Sequence, residues 1–424
     1  MDESRLLTVR HKEDVEISVC EPGARGTTKK MNKEGNTGKT LMKGGLVIDG
    51  TGSPPIDKGA ILIEGQYIIG VGKEEEVREK ADVHVLDCSD QTLLPGLIDC
   101  HNHLSLDPRL ENYLYRMADP IPALTLRACE TMKIDLRSGV TTSRCMGDKG
   151  FLDVECKKAV SEGRIEGPHL LIATRGIRAF HGHGFVGYPF GGIDQIQAAV
   201  RENLSAGADL IKIFITGTLR DPKGIPSYFS KEEIQTAVDE AHRVGIPVAT
   251  HCIGGIGFEW AIETGIDVIE HGYFLTDREI DLLVKSDKWL VMTPSVFFTD
   301  ARIQTLPTHL IDGHLHQRDE VAQRMRAAIK AGIQFAVGTD GMHGGLAQEI
   351  QYLVDFGATT SRALMAATRD AARVCGLEDS IGTLEPGKCG DIIGVEGNPL
   401  EDIGSLKRVK TVVCRGEIKH QTDQ

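Results

Sequence analysis

The chain has 424 residues, with 48 Lys and Arg against 61 Asp and Glu, a formal charge of −13. That balance argues against nucleic acid or an anionic membrane as the main partner and leaves a small molecule as the expected one. No apolar run approaches the roughly 20 residues of a membrane span, the N-terminus is charged where a secretory leader needs an apolar stretch, and the ten cysteines form no CxxC pair. A cytoplasmic protein without a disulfide framework is expected.

In chain order, residues 1–39 are polar, rich in Lys, Glu, Gly and Thr, and lack a sustained period, which predicts a flexible extension. From Leu41 the segments GGLVIDGTG, GAILIEGQYIIGVG and HVLDC read as short strands, with Asp49-Gly50 as a hairpin turn. DIIGVEGN and VKTVVCRGEIK have the same character near the C-terminus, so one small β-sandwich built from both ends, residues 40–92 plus 380–424, accommodates both sets.

Between them, residues 93–379 repeat a unit in which an amphipathic helix ends at glycine and an apolar strand follows: RSGVTTSRC, SEGRIEGPHLLIAT, SAGADLIKIFIT, RVGIPVATHC, ETGIDVIEH and KAGIQFAVGTD. Near-continuous apolar runs of this kind are the mark of parallel strands buried on both faces. LLPGLIDCHNH and KWLVMTPS bring the strands to eight, each followed by a helical segment. The pattern is α/β. A doubly wound sheet fits the repeat, but the strand-end chemistry favours a (β/α)8 TIM-like barrel, whose active site lies at the C-terminal ends of its strands.

His101 and His103 stand two apart at the end of LLPGLIDCHNH, so both can face one ion. His251 ends PVATH and His271 ends DVIEH. A single strand-end histidine is more often a satisfied polar residue than a ligand, but four on three strands at one barrel end form a cluster. Lys212 lies inside ADLIKIFITG, where an ammonium is badly placed among apolar residues. It reads as half of a core ion pair, as a lysine that turns to the surface or, between metal-binding histidines, as a desolvated amine that adds carbon dioxide and bridges two cations as a carbamate. Asp340 ends FAVGTD; it either caps the next helix or binds one ion and accepts a proton from a bridging water. Imidazole and carboxylate donors suit zinc, with manganese or cobalt compatible. Arg175 and Arg178, near the mouth of the third strand, can pair with a substrate carboxylate or remain solvated. Asp148 and Asp221 read as turn formers, and Trp289 as packing.

The motifs PGLIDCHNHL, LIKIFITG around Lys212, THC, IEHG and GTDG, with the closing LEPGKCGDIIGVEGNPLEDI, together resemble the binuclear branch of the amidohydrolase superfamily over residues 42–420. Within it the chain is most similar to the Xaa-Pro and Xaa-Arg dipeptidase or carboxypeptidase group and to the ochratoxin amidohydrolases. The resemblance implies His101, His103 and Asp340 on the more buried ion, His251 and His271 on the other, Lys212 carboxylated between them, and a homo-oligomer. FHGHGF places His183 at the histidine of the group's Gly-Gly-His-Gly stretch, with an expected contact to the substrate carbonyl or oxyanion.

Three substrate-facing loops depart from the group's pattern. His181 replaces a glycine, the loop between Asp340 and His343 is a residue shorter, and the aromatic expected before Ser230 is Phe229 with Tyr228 beside it. Tyr228 and His343 join the substrate-contact candidates. The implied reaction is hydrolysis of an amide in a dipeptide or N-acyl amino acid by a metal-bridging hydroxide, with Asp340 moving the proton. A urea or carbamate hydrolase, such as the phenylurea hydrolases, is the alternative. A mononuclear deaminase would need glutamate where Gly254 stands, and an idle scaffold would be expected to have lost ligands.

Overall fold

The computed structural model describes residues 38–77 and 83–422. The expected extension, 1–39, lies outside the described residues except for its last two, and Lys39 already opens a strand.

Eight parallel strands make up the central ring: β1 (Leu97–Asn102), β2 (Val140–Cys145), β3 (His169–Ile172), β4 (Ile211–Phe214), β5 (Val248–Cys252), β6 (Val268–His271), β7 (Trp289–Met292) and β8 (Phe335–Val337). β1 to β3 pair in sequence, as do β4 to β8. Two backbone bonds join the runs: Asp209 N–H to Ile172 O at 2.8 Å between β3 and β4, and Asp340 N–H to His101 O at 2.7 Å between β8 and β1. The ring is a (β/α)8 barrel, and all eight strands fall where the helix-glycine-strand repeat places them.

The principal outer helices are α1 (Ile121–Arg137), α2 (Leu152–Ser161), α3 (Ile193–Ser205), α4 (Lys231–His242), α5 (Ile256–Thr264), α6 (Asp277–Lys285), α7 (Thr308–Ala331) and α8 (Leu346–Asp355). Ser230 with Glu233 and Thr276 with Glu279 form reciprocal capping boxes that start α4 and α6. Gly265 and Gly332 stop α5 and α7 at φ of 89° and 82°, a conformation that side chains with a Cβ rarely adopt. Ile211, Ile213, Val248, Ile269 and Leu290 pack outward into the core shared with these helices. Alternation along β4 then turns Lys212 into the barrel.

Two short strands, Ile177–Ala179 and Tyr188–Phe190, pair beside β4, and the other eight strands form one sheet. Its order runs Glu417–Gln421, Val409–Cys414, Ile392–Glu396, His84–Pro95, Lys39–Val47, Gly59–Glu64, Tyr67–Lys73, with Ile56–Asp57 beside Lys39–Val47. Described segments from the N-terminal and C-terminal sides of the barrel meet there, as the sequence predicts. The sheet curls until its edge returns: Ile68 N–H reaches Lys388 O and Gly387 N–H reaches Ile68 O, each at 2.8 Å. Met42, Ile61, Ile63, Leu93, Ile392 and Val413 fill the inside. Asp49-Gly50 is not the two-residue turn expected of it. Val47 pairs with Ile56, and the intervening loop holds Pro54 and Pro55, which have no N–H to give a ladder. Asp49 Oδ1 instead accepts from Thr51 N–H and Oγ1, each at 2.8 Å. No disulfide links the described cysteines, and none of the described helices is long and apolar enough to cross a membrane.

Gly338 follows β8 directly. A Cβ there would stand 2.4 Å from His101 N, against backbone that cannot give way. Gly338→Ala should therefore lower stability by about 1–3 kcal/mol, read as a lower urea midpoint; an unchanged midpoint would mean the two strands are not in contact.

Candidate metal centre

The six residues singled out in sequence converge at the C-terminal mouth. His101 and His103 come from the end of β1, His251 from β5, His271 from β6, Lys212 from β4 and Asp340 from the turn after β8. Ring centroids are 4.6 Å apart for His101 and His271, 4.3 Å for His251 and His271, and 5.4 Å for His101 and His103. Asp340 Oδ1 lies 3.4 Å from His101 Nε2 and 3.6 Å from His103 Nε2. The ligand atoms of these three residues fall within 4.8 Å of one another and can hold one metal ion.

Two of these positions rely on unusual backbone. Alternation would send His271 outward alongside Ile269, because Glu270 between them faces the interior. At φ 78° His271 is turned back in, and Asp340 sits at φ 50°. Left-handed conformations at non-glycine residues cost about 1–3 kcal/mol and concentrate at functional sites.

Hydrogen bonds decide which nitrogen of each ring is free. Nδ1 is engaged by Glu270 Oε2 in His101, Gly147 O in His103 and Thr293 Oγ1 in His271, each at 2.7 Å, which leaves Nε2 toward the centre. His251 is reversed: its Nε2 donates to Gly217 O at 3.1 Å, so Nδ1 carries the lone pair. Burial holds His103 down to about 3 and His183 to about 4, and keeps His251 and His271 well below the ordinary imidazole value. Neutral rings are what a cation requires. Lys212 Nζ is fully buried and has no hydrogen-bond partner; burial brings it down to about 8, against the opposing pull of Glu270 and Asp340. Bare imidazole nitrogens, one carboxylate and a readily deprotonated amine fit a pair of divalent cations.

Three charged residues at the site escaped the sequence reading. Arg302, on the short helix Asp300–Gln304 after β7, donates from Nη2 to Asp340 Oδ2 at 2.9 Å and from Nη1 to Thr339 O at 3.1 Å. Burial opposes ionisation of Asp340, but Arg302 and His101 hold its carboxyl well below the usual carboxylate range. Beneath His101, Arg144 of β2 pairs with Glu270 of β6 at 2.9 Å. Burial alone would raise Glu270; Arg144 and His101 outweigh it and bring it to about 2. A charged residue inside an apolar strand, the signal that marked Lys212, was equally present in VTTSRC and DVIEH. Arg302 carries no such mark.

Of the substrate-side candidates, His183 lies beside the cluster, its ring 4.5 Å from His251 and Nε2 3.0 Å from Thr218 Oγ1. Arg178 donates from Nη1 to Ala179 O and Gly182 O at 3.3 Å, and its Nε is buried without a partner. Phe229 is buried in the helix-facing core, so Tyr228 is the aromatic near the mouth, edge-on to His181 at 5.5 Å. Arg175 and His343 are otherwise committed. Arg175 pairs with Glu202 and lies over the Phe151 ring at 4.5 Å. His343 uses both ring nitrogens, on Asp135 Oδ2 at 2.8 Å and Leu106 O at 3.0 Å, and so braces the shortened loop against α1. Asp148 is no simple turn former: buried, it receives Leu104 N–H, Ser105 N–H and the Ser105 hydroxyl. Asp221 does make a turn, accepting from Lys223 N–H at 2.8 Å, and Trp289 packs half-buried on the core. Leu106, Tyr113, Val186, Phe214, Ile303 and Leu306, from three strand-end loops and the end of β4, form an apolar cluster at the mouth.

Because His183 stays neutral down to about 4 when folded but titrates near 6.5 otherwise, it stabilises the metal-free fold above 6.5 and loses that contribution as pH falls through the interval. Wild type should therefore lose more stability than His183→Gln between pH 6.5 and 4. The check is the difference between their urea midpoints; a difference constant with pH would show a normally titrating His183.

The amidohydrolase family model matches residues 92–419. Ochratoxinase from Aspergillus niger is 29% identical over 419 aligned residues, covering 88% of this chain and 84% of that protein. Its crystal structure superposes with a TM-score of 0.78 at 26% identity, over 91% of this chain and 96% of that one. A Xaa-Pro dipeptidase crystallised with methionine in its active site superposes with a TM-score of 0.81 at 28% identity, over 90% of this chain and 100% of the other. With the family match spanning well over half of the sequence, the chain belongs to the amidohydrolase family and is a hydrolase of carbon–nitrogen bonds.

Proposed function

We propose that the protein is a binuclear metal-dependent amidohydrolase cleaving an amide bond in a small substrate with a free carboxylate, a dipeptide or an N-acyl amino acid. The observation that carries this reading is Lys212: a fully buried amine without a hydrogen-bond partner, set among four histidines and an aspartate. An unsatisfied buried donor is costly to keep, and carboxylation relieves the cost. The neutral amine attacks carbon dioxide, a C–N bond forms, one proton leaves to solvent, and the resulting carbamate has two oxygens for two cations. His101, His103 and Asp340 would hold one ion, His251 and His271 the other, and the donor types suit zinc.

Bound ions would supply Lewis acidity, lowering the pKa of water toward neutrality and polarising the scissile carbonyl. Asp340, with Oδ2 fixed by Arg302 and Oδ1 toward the histidines of β1, would take the proton of the attacking water and return it to the leaving nitrogen, a role its geometry supports. His183 stands on the His251 side, where a neutral imidazole N–H can donate to the developing oxyanion. The buried, unpaired Nε atoms of Arg178 and Arg302 favour a carboxylate on the substrate, and the apolar cluster suits a bulky acyl or aryl group. The names of the two relatives, one for ochratoxin and one for Xaa-Pro dipeptides, support the same class. A urea hydrolase would use the apolar cluster but leave those two Nε atoms without an acceptor.

Metal analysis of active protein should find about two ions per chain; one ion at full activity would refute the bridged centre. Lys212→Ala should lower kcat/KM about a thousandfold or more, the loss of several kcal/mol, and short carboxylic acids should restore part of it. In 13C-bicarbonate, the carbamate signal of the metal-free protein should grow as pH rises through about 8, where Lys212 becomes neutral. Turnover of aryl ureas alone, in a panel with dipeptides and N-acyl amino acids, would overturn the proposed substrate class.

A further inference from the structure

The interior of a (β/α)8 barrel is normally filled by branched apolar side chains. Here Arg144 and Glu270 meet across it, from β2 and β6 on opposite sides of the ring, at 2.9 Å and with side chains 2% and 0% exposed. A buried ion pair contributes little to stability once its desolvation is counted, so the fold alone does not explain it. Its second contact does. Glu270 Oε2 receives Nδ1 of His101 at 2.7 Å. A carboxylate paired with a guanidinium can only accept, so a His101 proton is held on Nδ1, and Nε2, 3.4 Å from Asp340 Oδ1, is the nitrogen left for a cation. Arg144 Nη1 donates to Glu270 Oε1 at 2.9 Å, which fixes the carboxylate behind His101, and to Cys100 O at 3.1 Å, which pins the backbone immediately before it.

We infer that Arg144 and Glu270 are positioning residues of the metal centre, a cross-barrel relay that holds a His101 proton on Nδ1, presents Nε2 to the site and so sets the affinity of the His101, His103 and Asp340 site for a divalent cation. The inference rests on the binuclear reading above. Carboxylates behind metal-ligating histidines fix the tautomer, and their loss costs about 10- to 100-fold in metal affinity. A glutamine at 270 can accept or donate toward Nδ1, so it leaves the tautomer unselected.

The test uses the full chain stripped of metal and titrated with zinc against a chromogenic chelator. Glu270→Gln alone strands Arg144 as a buried unpaired charge, so the informative variant is the double Arg144→Met, Glu270→Gln, which removes both charges. It is expected to keep the wild-type far-ultraviolet circular dichroism and bind its tighter zinc about 10- to 100-fold more weakly. A folded double variant with wild-type zinc affinity overturns the relay alone; wild type that takes up no zinc overturns the binuclear reading as well. A second measurement needs no folded variant. With 15N-labelled histidine, the His101 ring of metal-free wild type should carry a proton on Nδ1, and a ring protonated on Nε2 alone overturns the relay.

Discussion

Where β8 meets β1, backbone is pressed against backbone, and the rest of the structure depends on that seam. Gly338 lies against His101, Asp340 N–H bonds His101 O, and the Asp99 carboxylate stitches the strands together from beneath. It accepts His101 N–H at 3.0 Å, Thr339 N–H at 3.1 Å and the Thr339 hydroxyl at 2.6 Å. Burial pushes Asp99 up to about 7, and the charge of Asp135 adds to it, while these donors pull the other way. The contacts that close the ring are therefore the ones that set His101 and Asp340 side by side.

Below and around the histidines the barrel holds charge at an unusual depth. Lys212, Arg144, Glu270 and Arg302 are all nearly inaccessible, and the two acidic partners, Glu270 and Asp340, each have an arginine within 2.9 Å. Such an interior is tolerable only when every charge has a fixed counterpart. Lys212 is the member of this group whose nitrogen has none, and its isolation gives it a chemical rather than a structural meaning.

The parts of this molecule that were legible in sequence are those written locally. Helix, glycine and apolar strand recur within about 30 residues, so the eight strands could be placed, and the histidines stand at strand ends where a barrel concentrates its chemistry. Residues whose meaning comes from distant partners were not legible. Glu270 acts through Arg144, 126 positions away, and through His101, 169 away. Arg302 sits in an ordinary amphipathic turn and acquires its role only because Asp340 is brought to it. Arg175 and His343 fail in the opposite sense: the loops carrying them lie near the mouth, but Glu202, Asp135 and Leu106 reach them first. Asp49-Gly50 has the composition of a tight turn, and the prolines after it forbid the pairing a tight turn needs.

The strand His84–Pro95 lies in the middle of the outer sheet and runs, with Gly96 alone between, into the ligand strand β1. It is flanked by Lys39–Val47 from one end of the chain and Ile392–Glu396 from the other, and Thr92 Oγ1 bonds Gly397 O across 305 positions. During synthesis Ile392–Glu396 emerges long after β1, so the strand that leads into His101 and His103 lacks that flank until then. Pairings of such long sequence separation are slow to form. A nascent polypeptide that has already displayed all six residues of the cluster therefore still lacks one flank of the strand that leads into His101 and His103.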